Sequence, residues 1–519
     1  MTSKTPYYIS TAIAYASAIP HIGNVYEAIL ADAIARFKRL EGYDVYFQTG
    51  TDEHGQKIES KANEKNIPPQ AYVDHISQEI RRIYDQVDIS YDRFVRTTDD
   101  FHKQSVQSIF DQLLKKGDIY LGTYQGWYSV SEESYIQEKD IIDGKGPQGD
   151  TLVWMEEEVY FFKMSLYQDR LIQYINDHPE FIAPESRKNE MLQNFLSEPL
   201  PDLSVSRTSF KWGIPVIGHD QHVVYVWMDA LSNYITGLLY HPDHVSNEMT
   251  QYWPADVHLI GKDILRFHTI YWPIFLMALG LPLPKQVFGH PWILVNKGKM
   301  SKSVGNVMYV DDLLKHFKKD VIRYYVLHEI PYAQDGNMTY ELIIERNNSD
   351  LANTIGNLIN RSIGMALKYR EGHITYQASS LEASIELRNK ALSALNEMKA
   401  FMNDLKVADA LEVVVDLARH ANKYIDVTEP FKIYKEEQQS LFIDEILYHL
   451  IETSRFIGVL LQSFIPETAH AILEQIKANK EQSFDSLQTF GNIKEIVLEK
   501  PQVLFERFEL DKKLEEIIG

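Results

Sequence analysis

Two short stretches of this chain carry residue types suited to handling phosphate. The first is His21-Ile-Gly-Asn24, directly before a segment of helical periodicity. Backbone N–H groups at a helix start lack intrahelical partners and attract anions. Gly23 lets a planar base or a phosphate come close to the backbone. His21 can donate to an oxygen that gains charge in a transition state. Alone, the tetrapeptide favours a solvated loop histidine at a helix start. The second stretch, Lys299-Met-Ser-Lys-Ser303, sets two lysines around Ser301. A basic loop of this kind can close over a polyphosphate. The pair of motifs is far more specific than either half.

Further polar elbows follow apolar runs. They are Thr51-Asp-Glu-His-Gly55, Trp227-Met-Asp-Ala230, Gly261-Lys-Asp263 and Phe288-Gly-His290. In open parallel sheets, ligands bind beyond the carboxyl ends of the strands, so these elbows are expected to converge on one crevice. Asp52, an acid at a strand end beside a nucleotide site, suits an ammonium partner. Trp227, Ala230 and Tyr234 have the spacing of one helical face. Each aromatic taken singly reads as ordinary core.

The elements that must position these groups read as strand, loop and helix. "PYYISTAIAY" is rich in β-branched and aromatic residues. After it, Val25, Ile29, Ala33 and Phe37 recur at helical spacing, and Gly42 marks the stop. "YDVYFQTG" is the next buried strand, so the chain opens as a parallel α/β sheet. About 118–222 reads as an insertion of short strands, after which the α/β pattern returns. Beyond about 350 the strands stop, and four long amphipathic segments predict a helical bundle. The last twenty residues read as a tail that packs back on the body.

Bulk properties exclude several classes. The chain has 519 residues, 45% hydrophobic and 24% charged, which is globular and long enough for several domains. No apolar run has the length of a membrane span, and the N-terminus lacks the basic and apolar regions of a signal peptide. A cytoplasmic enzyme is expected. Cysteine is absent, which excludes disulfides, thiolate metal ligands and a cysteine nucleophile. A net charge of −21 argues against general nucleic-acid binding but leaves room for a local basic face.

At this point the chain resembles the class I aminoacyl-tRNA synthetases, and in detail their methionine-specific branch. The segments that carry the resemblance are "TAIAY…PHIGN", "GYDVYFQTGTDEHGQKI", "YVWMDALSNYITGL", "HLIGKDILRFHTIYWP", "FGHPWILVNKGKMSKSVGNV" and "IGNLINRS". They span nearly the whole chain, from about residue 7 to 430. The resemblance implies a Rossmann-like catalytic domain (1–117 and 223–295) split by a connective domain (118–222). It implies a KMSKS and stem-contact region (296–350), a helical anticodon-binding domain (351–500) and a tail (501–519).

The implied reaction activates L-methionine with MgATP to methionyl-adenylate and transfers it to the 3′ end of tRNA(Met). No covalent enzyme intermediate is needed, so positioning and charge stabilisation do the work. By the resemblance, His21, Asn24, Lys299 and Lys302 act on the ATP phosphates, with Gly23, Glu27, Gly261, Asp263 and Ser301 in the nucleotide site. Methionine is assigned to Ala12, Ile13, Tyr15, Asp52, Trp227, Ala230, Tyr234, Phe288 and His290. Aromatic walls suit a thioether. The anticodon is assigned to Asn357, Arg361 and Phe431. The insertion, about one hundred residues, is too short for the large editing domain of the valine, isoleucine and leucine enzymes. The rival readings are a class I synthetase for leucine or valine, a catalytically idle tRNA-binding paralogue, and a nucleotidyltransferase unrelated to tRNA.

Three positions depart from the family pattern. Asn24 stands where the second histidine is usual; Asn keeps a neutral donor able to reach a phosphate oxygen. The zinc knuckles of many relatives are replaced by Ser129 and Glu132 and by "GKGPQGD", so no structural zinc is expected. Packing of Trp127, Tyr128, Tyr135 and Trp154 would then hold the insertion. Phe431 follows Pro430 where the family often has Trp, and gives a smaller stacking face. The appended tRNA-binding domain of some relatives is missing from the sequence, so a monomer is expected, with no DNA and no membrane among its partners.

Overall fold

The computed structural model describes residues 4–129, 134–136, 138–146, 149–295, 298–299 and 307–518. They form two compact units, one of residues 1–31 and 44–290, the other of residues 32–43 and 291–519.

The first unit is built on a parallel sheet of seven strands: β1 (Pro6–Thr11), β2 (Ala14–Tyr15), β3 (Asp44–Asp52), β4 (Arg93–Arg96), β5 (Ile182–Ala183), β6 (Val257–Gly261) and β7 (Val287–His290). The spatial order is β4-β3-β1-β6-β7-β5, with β2 pairing along the end of β3. Tyr8, Ile9, Phe47, Leu259 and Val287 are buried, as expected for strands covered on both faces. Gly50 is required where β3 meets β4, since a Cβ there would lie 2.0 Å from the Val95 carbonyl oxygen. The chain leaves β1, builds β3 and β4 on one side, then starts again at β6 on the other. The gap beyond the carboxyl ends of β1 and β6 is therefore the topological switch point, where ligands of such sheets bind.

Helix α1 (Ile22–Leu40) follows β1. Val25, Ile29, Ala33 and Phe37 are all fully buried, and Gly42 takes a φ of 94°, so the predicted periodicity and stop both hold. The segment at 118–222 is dominated by an antiparallel pair, Ile119–Ser129 with Leu152–Phe162. It also returns to the main sheet, because β5 pairs with β7.

Aromatic packing holds this hairpin. Trp127 meets Trp154 edge-on at 5.3 Å between centroids, and Tyr135 packs on Tyr124 and Tyr128. Buried Arg207 adds a cation that the sequence did not single out. Its guanidinium lies 4.5 Å from the Tyr135 ring and 4.3 Å from Tyr225. Glu157 accepts from the Tyr135 and Thr208 hydroxyls at 2.7 and 2.6 Å. Of the two knuckle positions, Ser129 belongs to the hairpin, while Glu132 and residues 147–148 lie outside the described residues.

The second unit is mainly helical, as the amphipathic patterns predict. Helices Asn357–Arg370, Glu382–Asn403, Val407–Thr428 and Leu441–Leu461 form the bundle, the last of them buried almost throughout. A buried ion pair in that helix is satisfied: Arg455 bonds Glu452 at 2.7 Å, and Glu452 accepts from the Gly491 and Asn492 amides. The tail does pack back. Asn347 donates to the Glu506 carbonyl, and Asn348 exchanges two bonds with the Phe508 backbone.

A buried ion pair fixes the second half of α1 within this unit. Arg323 and Asp32 are both fully buried and bond at 2.7 Å; Arg323 also donates to the Phe464 carbonyl. Removing one partner of such a pair leaves an uncompensated charge, at a cost of about 3 kcal/mol. Asp32→Asn is expected to lower the unfolding free energy of this unit by that amount in urea titration. The double variant Asp32→Asn with Arg323→Met is expected to recover most of it.

Candidate active site

The strand ends assemble the site from three groups of residues in the first unit. The first group is the start of α1. His21 precedes the helix, and its Nδ1 accepts from the Gly23 N–H at 3.1 Å. In return, Asn24 Oδ1 accepts from the His21 N–H at 3.3 Å. This is a reciprocal cap, in which the His21 ring takes the Gly23 amide and the Asn24 side chain takes the His21 amide. It has a chemical consequence. With Nδ1 serving as acceptor, a neutral His21 carries its proton on Nε2. The imidazole is thereby held as a donor.

Asn24 thus differs from the expected phosphate donor in one respect. Its carbonyl end is turned back on His21, and only its amide end remains for an anion.

The second group lies at the ends of β1, β6 and β7. Glu27, one turn into α1, bonds His290 Nε2 at 2.9 Å. Burial raises the Glu27 carboxyl above its ordinary range, against the lowering effect of His290, and the nearby Asp263 charge adds to the rise. Tyr26 meets the His290 ring edge-on at 5.3 Å. A Cβ on Gly261 would lie 2.6 Å from Asp263 Oδ1, so Asp263 folds back over the glycine. Glu27, Gly261 and Asp263 therefore come together, and His290, assigned by resemblance to methionine, bonds Glu27.

The third group is apolar. Helix Val226–Thr236 carries Trp227, Ala230 and Tyr234. Trp227 stacks on Phe267 at 3.7 Å with the planes 4° apart. The Tyr234 hydroxyl bonds His268 Nε2 at 2.7 Å, and His268 Nδ1 donates to the Ile264 carbonyl at 2.9 Å. Burial pushes the His268 pKa down to about 4, so the ring is neutral. Its Nε2 is then an acceptor, and the Tyr234 hydroxyl proton is committed to it. Phe267 and His268 were missed in the sequence. They lie on a π-helical segment, Phe267–Tyr271, and π-turns gather at functional sites. A lone histidine in an apolar run gave no signal that it faced Tyr234.

Asp52 ends β3, where its carbonyl accepts from the Ala16 N–H and its residue pairs with Tyr15 of β2. Ala12 packs against the apolar cluster that contains Tyr234, and Phe288 is buried on β7. Ile13 lies half-buried between β1 and β2.

In the second unit, Asn357 is exposed at the start of its helix. Arg361 reaches Asp426 at 3.5 Å, five residues before Phe431, which is 41% exposed. Lys299 ends the short strand Gly298–Lys299; Ser301 and Lys302 lie outside the described residues. Among the described residues, no group of three or more histidine or acidic side chains could hold a metal ion, and no helix is long and apolar enough to cross a membrane.

A family model described as "tRNA synthetases class I (M)" matches residues 7–152 and 147–363. The chain belongs to this family. Among relatives, the methionine–tRNA ligase of Clostridium acetobutylicum is 49% identical over all of this chain and 80% of its own. That of Clostridium perfringens is 51% identical over 99% of this chain and 80% of its own. Among solved structures, a Mycobacterium tuberculosis methionyl-tRNA synthetase in complex with methionyl-adenylate superposes with a TM-score of 0.92. It is 41% identical and covers 97% of this chain and 100% of that one.

The reciprocal cap yields a graded prediction. A cap interaction contributes about 1 kcal/mol, which is about fivefold in rate. Asn24→Ala is expected to slow methionine-dependent ATP–pyrophosphate exchange by about that factor. A loss on the order of a thousandfold would instead mean that Asn24 binds the transition state directly.

Proposed function

We propose that this class I synthetase is a methionine–tRNA ligase. The observation that carries the reading is the likeness, over 97% of the chain, to a synthetase structure holding methionyl-adenylate. Relatives named as methionine–tRNA ligases at 49–51% identity favour methionine over a leucine or valine specificity.

In the first step, a methionine carboxylate oxygen attacks the α-phosphorus of ATP and pyrophosphate leaves. In the second, a ribose hydroxyl of the 3′-terminal adenosine of tRNA(Met) attacks the activated carbonyl, and AMP leaves. Mg²⁺ arrives with ATP as part of the substrate. The residues at the strand ends fit this chemistry. His21, with its proton on Nε2, donates to phosphate oxygens. Gly23 and Gly261 leave room for the nucleotide, Glu27 and Asp263 line its side of the crevice, and His290, bonded to Glu27, stays on the methionine side. Asp52 takes the α-ammonium. Trp227, Ala230, Tyr234 and the neutral His268 receive the thioether, with Ala12, Ile13, Tyr15 and Phe288 completing the amino-acid side. Lys299, Ser301 and Lys302 keep the phosphate role the family pattern gives them, and Asn357, Arg361 and Phe431 the anticodon role. The enzyme is proposed to act as a cytoplasmic monomer, without DNA or membrane as a partner.

Purified protein is expected to charge tRNA(Met) with methionine in an ATP-dependent reaction. A tRNA(Met) with an altered anticodon is expected to charge poorly. Charging with leucine or valine, or no charging with any amino acid, would overturn the assignment.

A further inference from the structure

We propose that Asp229 is a positioning residue for methionine: it locks the helix bearing the thioether pocket to the loop bearing Asp52. The inference rests on Asp52 as the ammonium partner. Asp229 sits on helix Val226–Thr236, between Trp227 and Ala230. Its Oδ2 accepts from His54 Nδ1 at 2.7 Å, and His54 is two residues beyond Asp52. Its Oδ1 accepts from His102 Nε2 at 2.7 Å. The chain of bonds closes back on the same helix, because His102 Nδ1 meets the Thr236 hydroxyl at 2.7 Å. Asp229, His54 and His102 are 0%, 4% and 1% exposed.

A buried carboxylate is tolerated only when both oxygens are engaged. Asp229 is held in one place by two imidazoles from different elements. None of these three groups is assigned to the apolar or phosphate side of the crevice in the reading above. Their shared property is location: they join the two ends of the amino-acid site. Methionine must place its ammonium at Asp52 and its thioether against Trp227, Ala230 and Tyr234. The separation of those two ends selects the side-chain length.

The loop side of the link is independently rigid. Glu53 takes two bonds from Arg96 at 2.8 and 2.9 Å and one from Thr51, and its carbonyl accepts from Trp212 Nε1. The far end of the helix is also fixed to β3. Gln48 donates to Asn233, and Tyr46 donates to the Gly237 carbonyl at 2.9 Å. That contact is close enough that a Cβ on Gly237 would lie 1.9 Å from Gln48 Oε1. These tethers survive when Asp229 is changed. Only the register between the near end of the helix and the Asp52 loop is released.

Two inert probes separate this role from a general structural one. L-Methioninol and 4-(methylthio)butan-1-ol share the thioether chain and differ by the ammonium. In Asp229→Asn, the Kd of L-methioninol by titration calorimetry is expected to rise about tenfold, the scale of one charged hydrogen bond. The uncharged probe can follow the helix and is expected to keep its Kd within about twofold. His54→Gln cuts the same link and is expected to give the same pattern, which serves if Asp229→Asn does not fold. Equal weakening of both probes, or no change in either, would overturn the proposal. Asp52→Ala tests the reading beneath it. If that variant leaves the ratio of the two Kd values unchanged, Asp52 is not the ammonium partner and the inference falls with it. If Asp52→Ala collapses the ratio and the Asp229 and His54 variants do not, only the coupling fails.

Discussion

A parallel strand has one carboxyl end, and a chain that has built outward from a central strand in one direction must begin again on its other side. That constraint makes the gap beyond β1 and β6 in this chain. No crossover helix covers a switch point, so loops and helix starts face it. The start of α1 supplies oriented amides there. The ends of β3, β6 and β7 supply Asp52, Gly261 and His290. The chemistry follows from what the sheet leaves uncovered.

Within that gap, several side chains are oriented by another polar group rather than by packing alone. His21 takes its tautomer from the Gly23 amide, and Asn24 ties back to His21. His268 takes its own from the Ile264 carbonyl and in turn orients the Tyr234 hydroxyl. Such preorganised donors cost no rearrangement when charge develops. A reaction without a covalent intermediate depends on this more than on any nucleophile. The departure at position 24 fits the same logic, since the asparagine oxygen serves the helix start.

The sequence was most legible where periodicity and backbone punctuation coincide. The four apolar positions of α1 and the stop at Gly42 were readable because burial and a left-handed turn each leave one residue-type signature. The helical bundle was readable for the same reason. Polar elbows after apolar runs marked the strand ends, where ligands of such sheets bind. What was not legible depended on side chains meeting from distant elements. His268 in an apolar run looks like a core histidine until Tyr234 is seen opposite. Asp229 looked like part of an elbow, and nothing in its spacing pointed to His54 or His102. β5 is two residues long, too short for a pattern. Arg207 carries no motif at all, yet three tyrosine rings surround it.

The central claim is that methionine is activated across the ends of β1 and β6. A crystal structure with a non-hydrolysable methionyl-adenylate analogue tests it most directly. The account predicts the adenylate phosphate near His21, the ammonium within hydrogen-bond distance of Asp52, and the thioether against Trp227, Ala230 and Tyr234. A ligand bound elsewhere on the sheet, or one whose ammonium turns away from Asp52, would contradict it.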